Sequence, residues 1–318
     1  MGSEQWGAKA GSGPFATVYY GHFASSDRRM RIGLIIASYG RPELLQQHLS
    51  SVARQVRPPD EIVLSLVCDG DRPPGVLPDL NIRVVYASQG SCAQRNKGLE
   101  FFRDRVDVVL FVDDDFWMAP IYVQELERIF STNDDVVAAT GLVLADGATG
   151  PGISIAEAEK CIDEYMSRRK PEIIKDVPDT YGCNMAFRAS KIGDLRFDER
   201  LPLYGWQEDV DFSAQLRSRG RIIWANALWG VHLGTKKGKI SGRRFGYSQV
   251  INPLYILRKG NMSLRRAALL IGKNMVANAT KSLFPEPYID RLGRLKGNVI
   301  GLRHALLGKL DPMHALEL

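Results

Sequence analysis

Cysteines and long apolar runs are both scarce in this chain of 318 residues, and each scarcity excludes a class of protein. The sequence contains no C-x-x-C pair, so it lacks the usual spacing of a zinc site and fits reduced thiols. No stretch approaches the roughly 18 uninterrupted apolar residues of a membrane-spanning helix. The N-terminus also lacks the basic-then-apolar pattern of a signal peptide, so we expect the protein in the cytoplasm. The cysteines are Cys68, Cys92, Cys161 and Cys183.

Acidic residues are scarce in the C-terminal region, although the whole chain carries a net charge of only +6. Residues 236–318 contain sixteen basic and four acidic residues, so this segment carries +12 and the rest of the chain −6. Such asymmetry suggests a polyanionic partner, either a membrane surface or a nucleic acid. No zinc or aromatic motif supports nucleic-acid binding, so we expect no nucleic acid among the partners.

Beyond Gly246 the basic residues interleave with apolar ones at helical spacing. Basic amphipathic helices of this kind lie on anionic membrane surfaces. A helical cap packed on the rest of the protein would show the same pattern, because long basic side chains also cover apolar surface. The two roles can coexist, and the sequence leaves both open.

Strand and helix patterns alternate from residue 31 onward, which predicts an α/β fold. We expect a doubly wound, mixed but mostly parallel sheet flanked by helices, with a C-terminal helical tail. We divide the chain into an N-terminal extension (1–30), an α/β domain (31–245) and a basic helical region (246–318). The predicted strands are 32–37, 62–67, 82–86, 108–112, 136–142, 183–188 and 222–224, and a helix is predicted at 212–219.

Three consecutive carboxylates, Asp113, Asp114 and Asp115, directly follow the apolar run 108–112. Ligands bind at the carboxyl ends of strands in an open α/β sheet, and like charges are costly together unless a cation or solvent offsets them. The D-x-D spacing lets Asp113 and Asp115 share a metal ion, and hard carboxylate oxygens favour Mg²⁺ or Mn²⁺ over zinc. A solvated acidic turn is the alternative, since such turns often follow strands.

A second acidic motif occupies residues 205–211, where a Gly-Trp pair precedes Glu208 and Asp209. A carboxylate at this position could take a proton from a hydroxyl nucleophile. Alternatively, these acids cap the following helix and complement its dipole. His232, at the end of a strand pattern, is either a third metal ligand or an ordinary strand-end histidine.

Three further residues have both a binding and a structural interpretation. Arg95 and Asn96 lie early in a predicted helix, where they could contact a phosphate or base or could simply lie on a solvated face. Asp69 follows a strand and precedes Gly70, so it could bind a ribose or base edge or could form the turn.

Taken in order, these motifs resemble glycosyltransferase family 2. The resemblance covers about residues 31–235 and implies a GT-A fold for the catalytic domain 31–245. It also implies inverting transfer of a sugar from a nucleotide-activated donor, usually with a divalent cation. The motifs are Ile35-Ile36-Ala37-Ser38-Tyr39-Gly40-Arg41, Cys68-Asp69-Gly70, Ala93-Gln94-Arg95-Asn96-Lys97-Gly98, Val112-Asp113-Asp114-Asp115, Gly182-Cys183-Asn184-Met185-Ala186-Phe187-Arg188, Glu208-Asp209-Val210-Asp211 and Val231-His232.

The resemblance implies a role for individual residues as well. It makes Asp209 the general base, with Glu208 as the second candidate. It makes His232 a ligand of the divalent cation, Mn²⁺ or Mg²⁺, beside Asp113 and Asp115. On family grounds the donor is a UDP-sugar. The residues it places around the nucleotide, diphosphate and sugar are Ala37, Ser38, Tyr39, Arg41, Asp69, Arg95, Asp113 and Asp114.

Many members of this family build bacterial surface polysaccharides, so the resemblance implies a glycan or lipid-linked acceptor. It also makes the inner face of the membrane an alternative location to the open cytoplasm.

Two other functions fit a similar fold. A nucleotidyltransferase would normally have a Gly-rich, basic phosphate loop after the first strand, and residues 37–42 are a poor version of one. A non-catalytic module that binds nucleotide sugars would not need both the metal-binding carboxylates and the carboxylate that acts as general base.

Overall fold

The computed structural model describes residues 29–75, 80–148, 150–168, 171–235, 241–284 and 286–318. Nearly all of the predicted N-terminal extension, 1–30, lies outside these residues. The described strands are β1 (Ile32–Ala37), β2 (Glu61–Leu66), β3 (Ile82–Tyr86), β4 (Val108–Asp113), β5 (Phe116–Met118), β6 (Val136–Asp146), β7 (Ile174–Asp176), β8 (Asn184–Arg188) and β9 (Arg221–His232). The α-helices are α1 (Pro42–Ala53), α2 (Ser91–Phe102), α3 (Tyr122–Thr132), α4 (Ile155–Met166), α5 (Ala189–Ile192), α6 (Glu208–Leu216), α7 (Gly242–Arg258), α8 (Leu264–Ser282) and α9 (Arg291–Leu306).

These strands form one mixed sheet in the order β3-β2-β1-β4-β8-β6-β9-β5, with β7 paired to β9. Strands β1 to β4 pair in parallel, as do β6 and β9. Strand β8 lies antiparallel between β4 and β6 and so joins the two parallel parts. The predicted α/β fold with a mixed sheet is confirmed.

Apolar side chains fill a core on each side of the sheet. On one side, Leu34 of β1 packs in the same core as Leu49 of α1 and side chains of α3. On the other side, Ile35 packs in a core with Phe102 of α2 and Phe212 of α6. Neighbouring residues of β1 thus face opposite cores, because side chains alternate along a strand. Strands covered on both faces in this way read as continuous apolar runs, which is why the sequence revealed them.

Strand β9 is continuous, whereas the sequence predicted a strand at 222–224 only. Its pairing with β6 contains a register shift beside Gly141. A Cβ atom on Gly141 would lie 1.9 Å from the carbonyl oxygen of Leu228, so only glycine fits there. Beyond this bulge the pairing resumes, and after a further register shift between Val143 and Asp146 it brings Asp146 opposite His232.

Helix α6 begins at Glu208, earlier than the predicted start at Phe212. Gln207 precedes it in the left-handed conformation, with φ of 75°. The prediction was wrong because the acids were read as a loop before the helix. Glu208 and Asp209 instead lie in its first turn, where the free N–H groups favour negative charge.

The C-terminal region is helical, as predicted. Helix α7 crosses the predicted limit between residues 245 and 246, so the domain limits stay a prediction. Helices α7 and α9 approach each other closely through glycines. A Cβ atom on Gly246 would lie 2.0 Å from the carbonyl oxygen of Arg294, and one on Gly297 would lie 2.0 Å from that of Arg243. This close packing holds the last helices against the α/β domain through α7.

Candidate active site

The carboxyl ends of β1, β2 and β4 meet at one edge of the sheet. In the register of these strands, Ala37 lies beside Ser65 of β2 and beside Asp113 of β4. The segments that continue from β1 and β2 are residues 38–41 and 68–71, which contain the predicted nucleotide-binding residues. Parallel pairing therefore brings three of the sequence motifs to one place.

The three consecutive aspartates differ in exposure because side chains alternate in direction along an extended chain. The exposed fraction of the side chain is 23% for Asp113, 6% for Asp115 and 0% for Asp114. Ser38 donates a hydrogen bond to Asp114 Oδ2 at 2.5 Å, and Arg41 Nη2 lies 3.1 Å from Asp114 Oδ1. The resemblance placed Asp114 close to the donor sugar. In the structure its carboxylate is buried, and its contact Arg41 is the partly exposed member of the pair.

Asp113, Asp115 and His232, the predicted metal ligands, lie together. One donor atom from each lies within 4.8 Å of the others. Strand β5 explains this proximity, because it follows Asp115 directly and pairs with β9 so that Phe116 lies opposite His232. His232 Nε2 lies 3.3 Å from Asp115 Oδ1. The sequence did not predict β5, since three residues are too few to show a strand pattern.

The second ring nitrogen of His232 also has a partner. His232 Nδ1 lies 2.9 Å from Asp146 Oδ1, and the Tyr181 hydroxyl donates to Asp146 Oδ2 at 2.9 Å. Metal-binding histidines almost always have a partner of this kind on the nitrogen that does not bind the metal. Neither Asp146 nor Tyr181 was singled out in the sequence, because only the register of β6 on β9 shows that they lie here.

The pKa of His232 and the pKa values of the carboxyls beside it depend on one another. Burial acts to lower the pKa of His232, but hydrogen bonds to Asp115 and Asp146 outweigh it and raise the pKa to about 10. Burial acts to raise the pKa of both carboxyls, yet their hydrogen bonds to His232 bring each pKa down to about 2. Burial raises the pKa of Asp114 to about 7, against the charge of Arg41. His232 therefore lies between two carboxylates, each of which contacts one of its ring nitrogens.

Arg95 joins the two acidic motifs. Its guanidinium pairs with Glu208, and its Nη2 atom lies 3.0 Å from Asp113 Oδ1 and 3.0 Å from the carbonyl oxygen of Gly182. Burial acts to raise the pKa of Glu208 above its usual range, while the ion pair with Arg95 favours the carboxylate form. The predicted position of Arg95 near a nucleotide stays a prediction; the observed contacts fix β4 relative to α6.

Asp209 differs from Glu208 in its partners. Its Oδ2 atom accepts the Gly182 N–H at 3.0 Å and its Oδ1 atom accepts the Val210 N–H at 2.8 Å. Among the described residues it forms no ion pair, whereas Glu208 is buried against Arg95. Burial raises the pKa of Asp209 above its usual range, although its two backbone hydrogen bonds oppose this. A half-buried carboxylate without a cation partner can accept a proton from a hydroxyl group.

Two residues of the sequence motifs make structural contacts. Asn96 was expected either at a phosphate or base or on a solvated face, but it is buried and exchanges hydrogen bonds of 2.9 Å with the backbone of Phe197. Asp211 is fully buried and accepts hydrogen bonds from Lys259 at 2.6 Å and from Asn261 at 2.8 Å. It ties α6 to the segment that follows α7.

The segments after β1 and β2 form the other wall of the site. Tyr39 is 39% exposed, and the side chain of Asp69 is 85% exposed. Asp69 accepts a hydrogen bond from Arg72 at 2.9 Å. Asp71, which sequence reasoning missed, is buried and accepts the N–H of Gly40 at 2.7 Å. It therefore ties the two loops together, a role visible only once the strands are paired.

Comparison with known sequences agrees with this geometry. The sequence model of the family described as glycosyl transferase family 2 matches residues 34–196, just over half of the chain. The glucosyl-dolichyl phosphate glucuronosyltransferase of Haloferax volcanii is 26% identical over 172 residues, which cover 50% of this chain and 53% of that protein. The chain thus spans about half the length of this curated relative.

Solved structures share the fold. S. aureus TarS 1-349 superposes with a TM-score of 0.53 and 14% identity, over 89% of this chain and 83% of that one. The mannosyltransferase PcManGT from Pyrobaculum calidifontis, in complex with GDP-Man and Mn²⁺, has a TM-score of 0.50 and 16% identity, over 91% of this chain and 79% of that one. TarS 1-349 in complex with UDP-GlcNAc also has a TM-score of 0.50 and 16% identity, with 89% of each chain covered. At these identities the likeness concerns the fold, which is of the predicted GT-A type.

Proposed function

Because the chain belongs to glycosyltransferase family 2, we propose that it moves a sugar from a nucleoside-diphosphate donor to a hydroxyl group, with inversion at the anomeric carbon. The observation that carries this proposal is the Arg95 link, which joins Asp113 of the candidate metal group to Glu208, the neighbour of Asp209. Such a transfer needs charge stabilisation for the leaving diphosphate and a base for the acceptor in one cleft. Arg95 holds those two functions side by side.

The side chains at the sheet edge fit a divalent cation. Asp113, Asp115 and His232 offer two carboxylates and an imidazole with donor atoms within 4.8 Å of one another. Carboxylate ligands suit Mg²⁺ and Mn²⁺. A cation held there would supply Lewis-acid stabilisation of charge on the leaving diphosphate. The presence of Mn²⁺ in PcManGT supports Mn²⁺ as the first ion to test.

The donor nucleotide is proposed to lie against the wall formed by residues 37–41 and Asp69. The exposed Tyr39 and Asp69 side chains support contact with the base and ribose. Burial acts to lower the pKa of Arg41, but Asp114 and Asp115 outweigh it and raise the pKa, so the guanidinium stays charged and can face a diphosphate. UDP is the first choice on family grounds; the TarS complex with UDP-GlcNAc supports it, while PcManGT binds GDP-Man.

Asp209 is the proposed base. The acceptor oxygen attacks the anomeric carbon from the face opposite the diphosphate, Asp209 takes the hydroxyl proton, and the bond to the diphosphate oxygen breaks. The configuration at the anomeric carbon inverts because the attacking and leaving oxygens lie on opposite faces. The hydrogen bond from Gly182 to Asp209 Oδ2 supports this role, since it holds the carboxylate in one orientation.

The proposed acceptor is a glycan or a lipid-linked hydroxyl. The name of the Haloferax volcanii relative specifies a dolichyl phosphate, which supports a lipid-linked acceptor. Within the described ranges, we find no helix with the length and apolar character needed to cross a bilayer. The location we propose, in the cytoplasm and peripheral to the inner face of the membrane, is supported by the lipid-linked name of this relative.

Calorimetry of the full chain with a panel of nucleotide sugars, in the presence of Mn²⁺, Mg²⁺ or a chelator, tests the proposal. We expect one donor to bind in a cation-dependent manner and to release its nucleoside diphosphate slowly by hydrolysis. Failure of every donor with every cation would contradict the proposal. Binding without release, with any acceptor supplied, would instead support a binding module, and exchange of pyrophosphate would support a nucleotidyltransferase.

Replacement of Asp146 by Asn is expected to weaken Mn²⁺ binding about 10- to 100-fold. The neutral amide no longer holds His232 through a charged hydrogen bond at Nδ1, so Nε2 becomes a poorer and less well oriented ligand. Calorimetric titration with Mn²⁺ alone measures the effect without turnover. Tyr181→Phe should weaken binding less, and Asp134→Asn, at an exposed site, should leave it unchanged. Unchanged affinity in Asp146→Asn would rule out this role for Asp146.

A further inference from the structure

Helices α8 and α9 contain no acidic residue over their whole lengths, Leu264–Ser282 and Arg291–Leu306. The complete chain, by contrast, has 36 acidic residues against 42 basic ones. The basic residues in the two helices are Arg265, Arg266, Lys273, Lys281, Arg291, Arg294, Lys296 and Arg303. An excess of one sign this local points to a specific surface rather than to general solubility.

The outer face of α8 carries large apolar side chains at every second turn. Leu269, Val276 and Leu283, the residue that ends the helix, are 63%, 63% and 76% exposed. A spacing of seven residues places them in one line along the helix. Lys273 lies between the first two, and Phe284, which is 79% exposed, extends the line at its end.

The outer face of α9 repeats this arrangement. Leu292, Val299 and Leu306 are 53%, 58% and 88% exposed and are again seven residues apart. Lys296 and Arg303 lie between them, so apolar and basic side chains alternate along the line. We call the two lines together the outer face of α8 and α9.

The opposite faces of these helices are fixed to the protein. Asn278 of α8 donates to Asn298 of α9 at 2.8 Å and to Gln249 of α7 at 2.8 Å, and all three residues are buried. Asn298 also donates to the backbone of Gly246 in α7 at 2.7 Å. The helices thus serve as a packed cap through one face, which leaves the apolar and basic outer face without a partner within the described chain.

Several cations of this region have no ion pair or side-chain hydrogen bond among the described residues. These cations include Arg265, Lys273, Lys296, Arg303 and Lys309. By contrast, Arg266 pairs with Asp179 outside the two helices, and Arg291 pairs with Glu286 in the segment between them. Charged groups left free on an apolar face fit a partner that supplies both negative charge and an apolar phase.

We propose that the outer face of α8 and α9 docks on an anionic lipid bilayer. The leucine and valine side chains enter the boundary between headgroups and acyl chains, while Lys273, Lys296 and Arg303 pair with anionic headgroups. The outer face of α8 and α9 would thus be the surface that holds the protein at the membrane. That this contact helps the protein reach a lipid-linked acceptor rests on the proposed function. A nucleic acid would offer no apolar phase. A second copy would bring the same cations against one another in a symmetric pair.

Flotation of the full chain with phosphatidylcholine vesicles, with and without phosphatidylglycerol, tests the surface. Wild type should bind only the anionic vesicles. Loss of one basic residue near such a surface costs about 1 kcal/mol, a factor of about five in affinity. The double variant Lys273→Glu with Arg303→Glu should therefore weaken vesicle binding at least about 25-fold. Lys160→Glu reverses one charge on the exposed face of α4, as each of these two substitutions does on the outer face, and should bind as wild type does.

Apolar substitutions separate insertion from charge attraction. Val276→Ser and Leu306→Ser should weaken vesicle binding, while Val56→Ser, at a position 64% exposed outside the tail, should not. Thermal melting confirms that each variant folds. Equal binding of the surface variants and their controls would overturn the proposal, as would failure of wild type to bind. A dimer in lipid-free solution that Leu306→Ser dissociates would assign the face to self-association instead.

The two proposals fail separately. Donor hydrolysis without vesicles should be the same in wild type and in Lys273→Glu with Arg303→Glu, because neither residue lies in the candidate active site. Vesicle binding with no donor binding would leave the docking surface supported and contradict the transferase function. Donor turnover with no vesicle binding would support the transferase function and contradict the docking surface.

Discussion

Replacement of Asp209 by Asn is expected to lower sugar transfer by orders of magnitude and to leave cation-dependent donor binding close to that of wild type. The amide keeps the size of the side chain and can still accept the Gly182 N–H, but it cannot take the acceptor proton. Loss of a general base typically lowers turnover about 10²–10⁴-fold. Steady-state release of nucleoside diphosphate, with donor affinity measured by calorimetry, separates the two effects. Equal turnover in Asp209→Asn and wild type would remove Asp209 from the mechanism.

Glu208→Gln is the matched control for that experiment. Glu208 is the charge partner of the buried Arg95, so its neutral analogue leaves a buried cation poorly balanced. We expect a lower melting temperature as the main effect, with a smaller loss of turnover than in Asp209→Asn. If Glu208→Gln loses turnover and keeps its stability while Asp209→Asn retains turnover, the roles of the two acids are reversed.

The pH dependence gives a second check on Asp209. A base must be unprotonated to accept a proton, so activity falls as the pH drops through its pKa. Since burial raises the pKa of Asp209, the acidic limb of the profile should lie above the value of about 3.9 for an ordinary aspartate.

Replacement of Asp115 by Asn is expected to remove the cation-dependent part of donor binding together with turnover. Asp115 is one of three ligands in the candidate metal group, and it also holds His232 at 3.3 Å and the Thr235 N–H at 2.8 Å. Metal stabilisation of transition-state charge supplies several kcal/mol, so turnover should fall by about 10³-fold or more. Calorimetry with Mn²⁺ alone and then with donor measures both losses.

The distinction from Asp209→Asn lies in binding. Asp115→Asn should lose Mn²⁺ affinity and donor affinity together, whereas Asp209→Asn should keep both. Asp134→Asn, an exposed acid on a turn, controls for the loss of one negative charge and should match wild type. Wild-type Mn²⁺ affinity in Asp115→Asn would contradict the assignment of the metal site.

Much of the parallel half of the sheet was predictable. The bounds of β1 and β3 agree with the predicted 32–37 and 82–86. Strands covered by helices on both faces appear as continuous apolar runs, and their carboxyl ends mark the site because ligands gather there. The D-x-D pair was found for this reason, whereas Asp209 was singled out by its acidic motif and by the family resemblance.

The contacts that cross the sheet were not predictable. Strand β5 has three residues, and it exists because β9 pairs with it. Asp146 lies far from His232 in the chain, and they meet because β6 pairs with β9 through several register shifts. The sequence indicated that Arg95 could contact a phosphate. Its observed partners are Asp113 and Glu208, which lie on separate elements. A local pattern does not record such pairings.

The sequence by itself determined the family, the α/β architecture, and which carboxylates and histidine are candidates for metal and base. These depend on local order and composition, which survive without a structure. Only the tertiary structure decided how those groups divide their roles. Burial against Arg95 separates Glu208 from Asp209, and pairing of β9 with β5 and β6 places His232 between Asp115 and Asp146. Both depend on distances between segments remote in the chain, which only the packed sheet brings together.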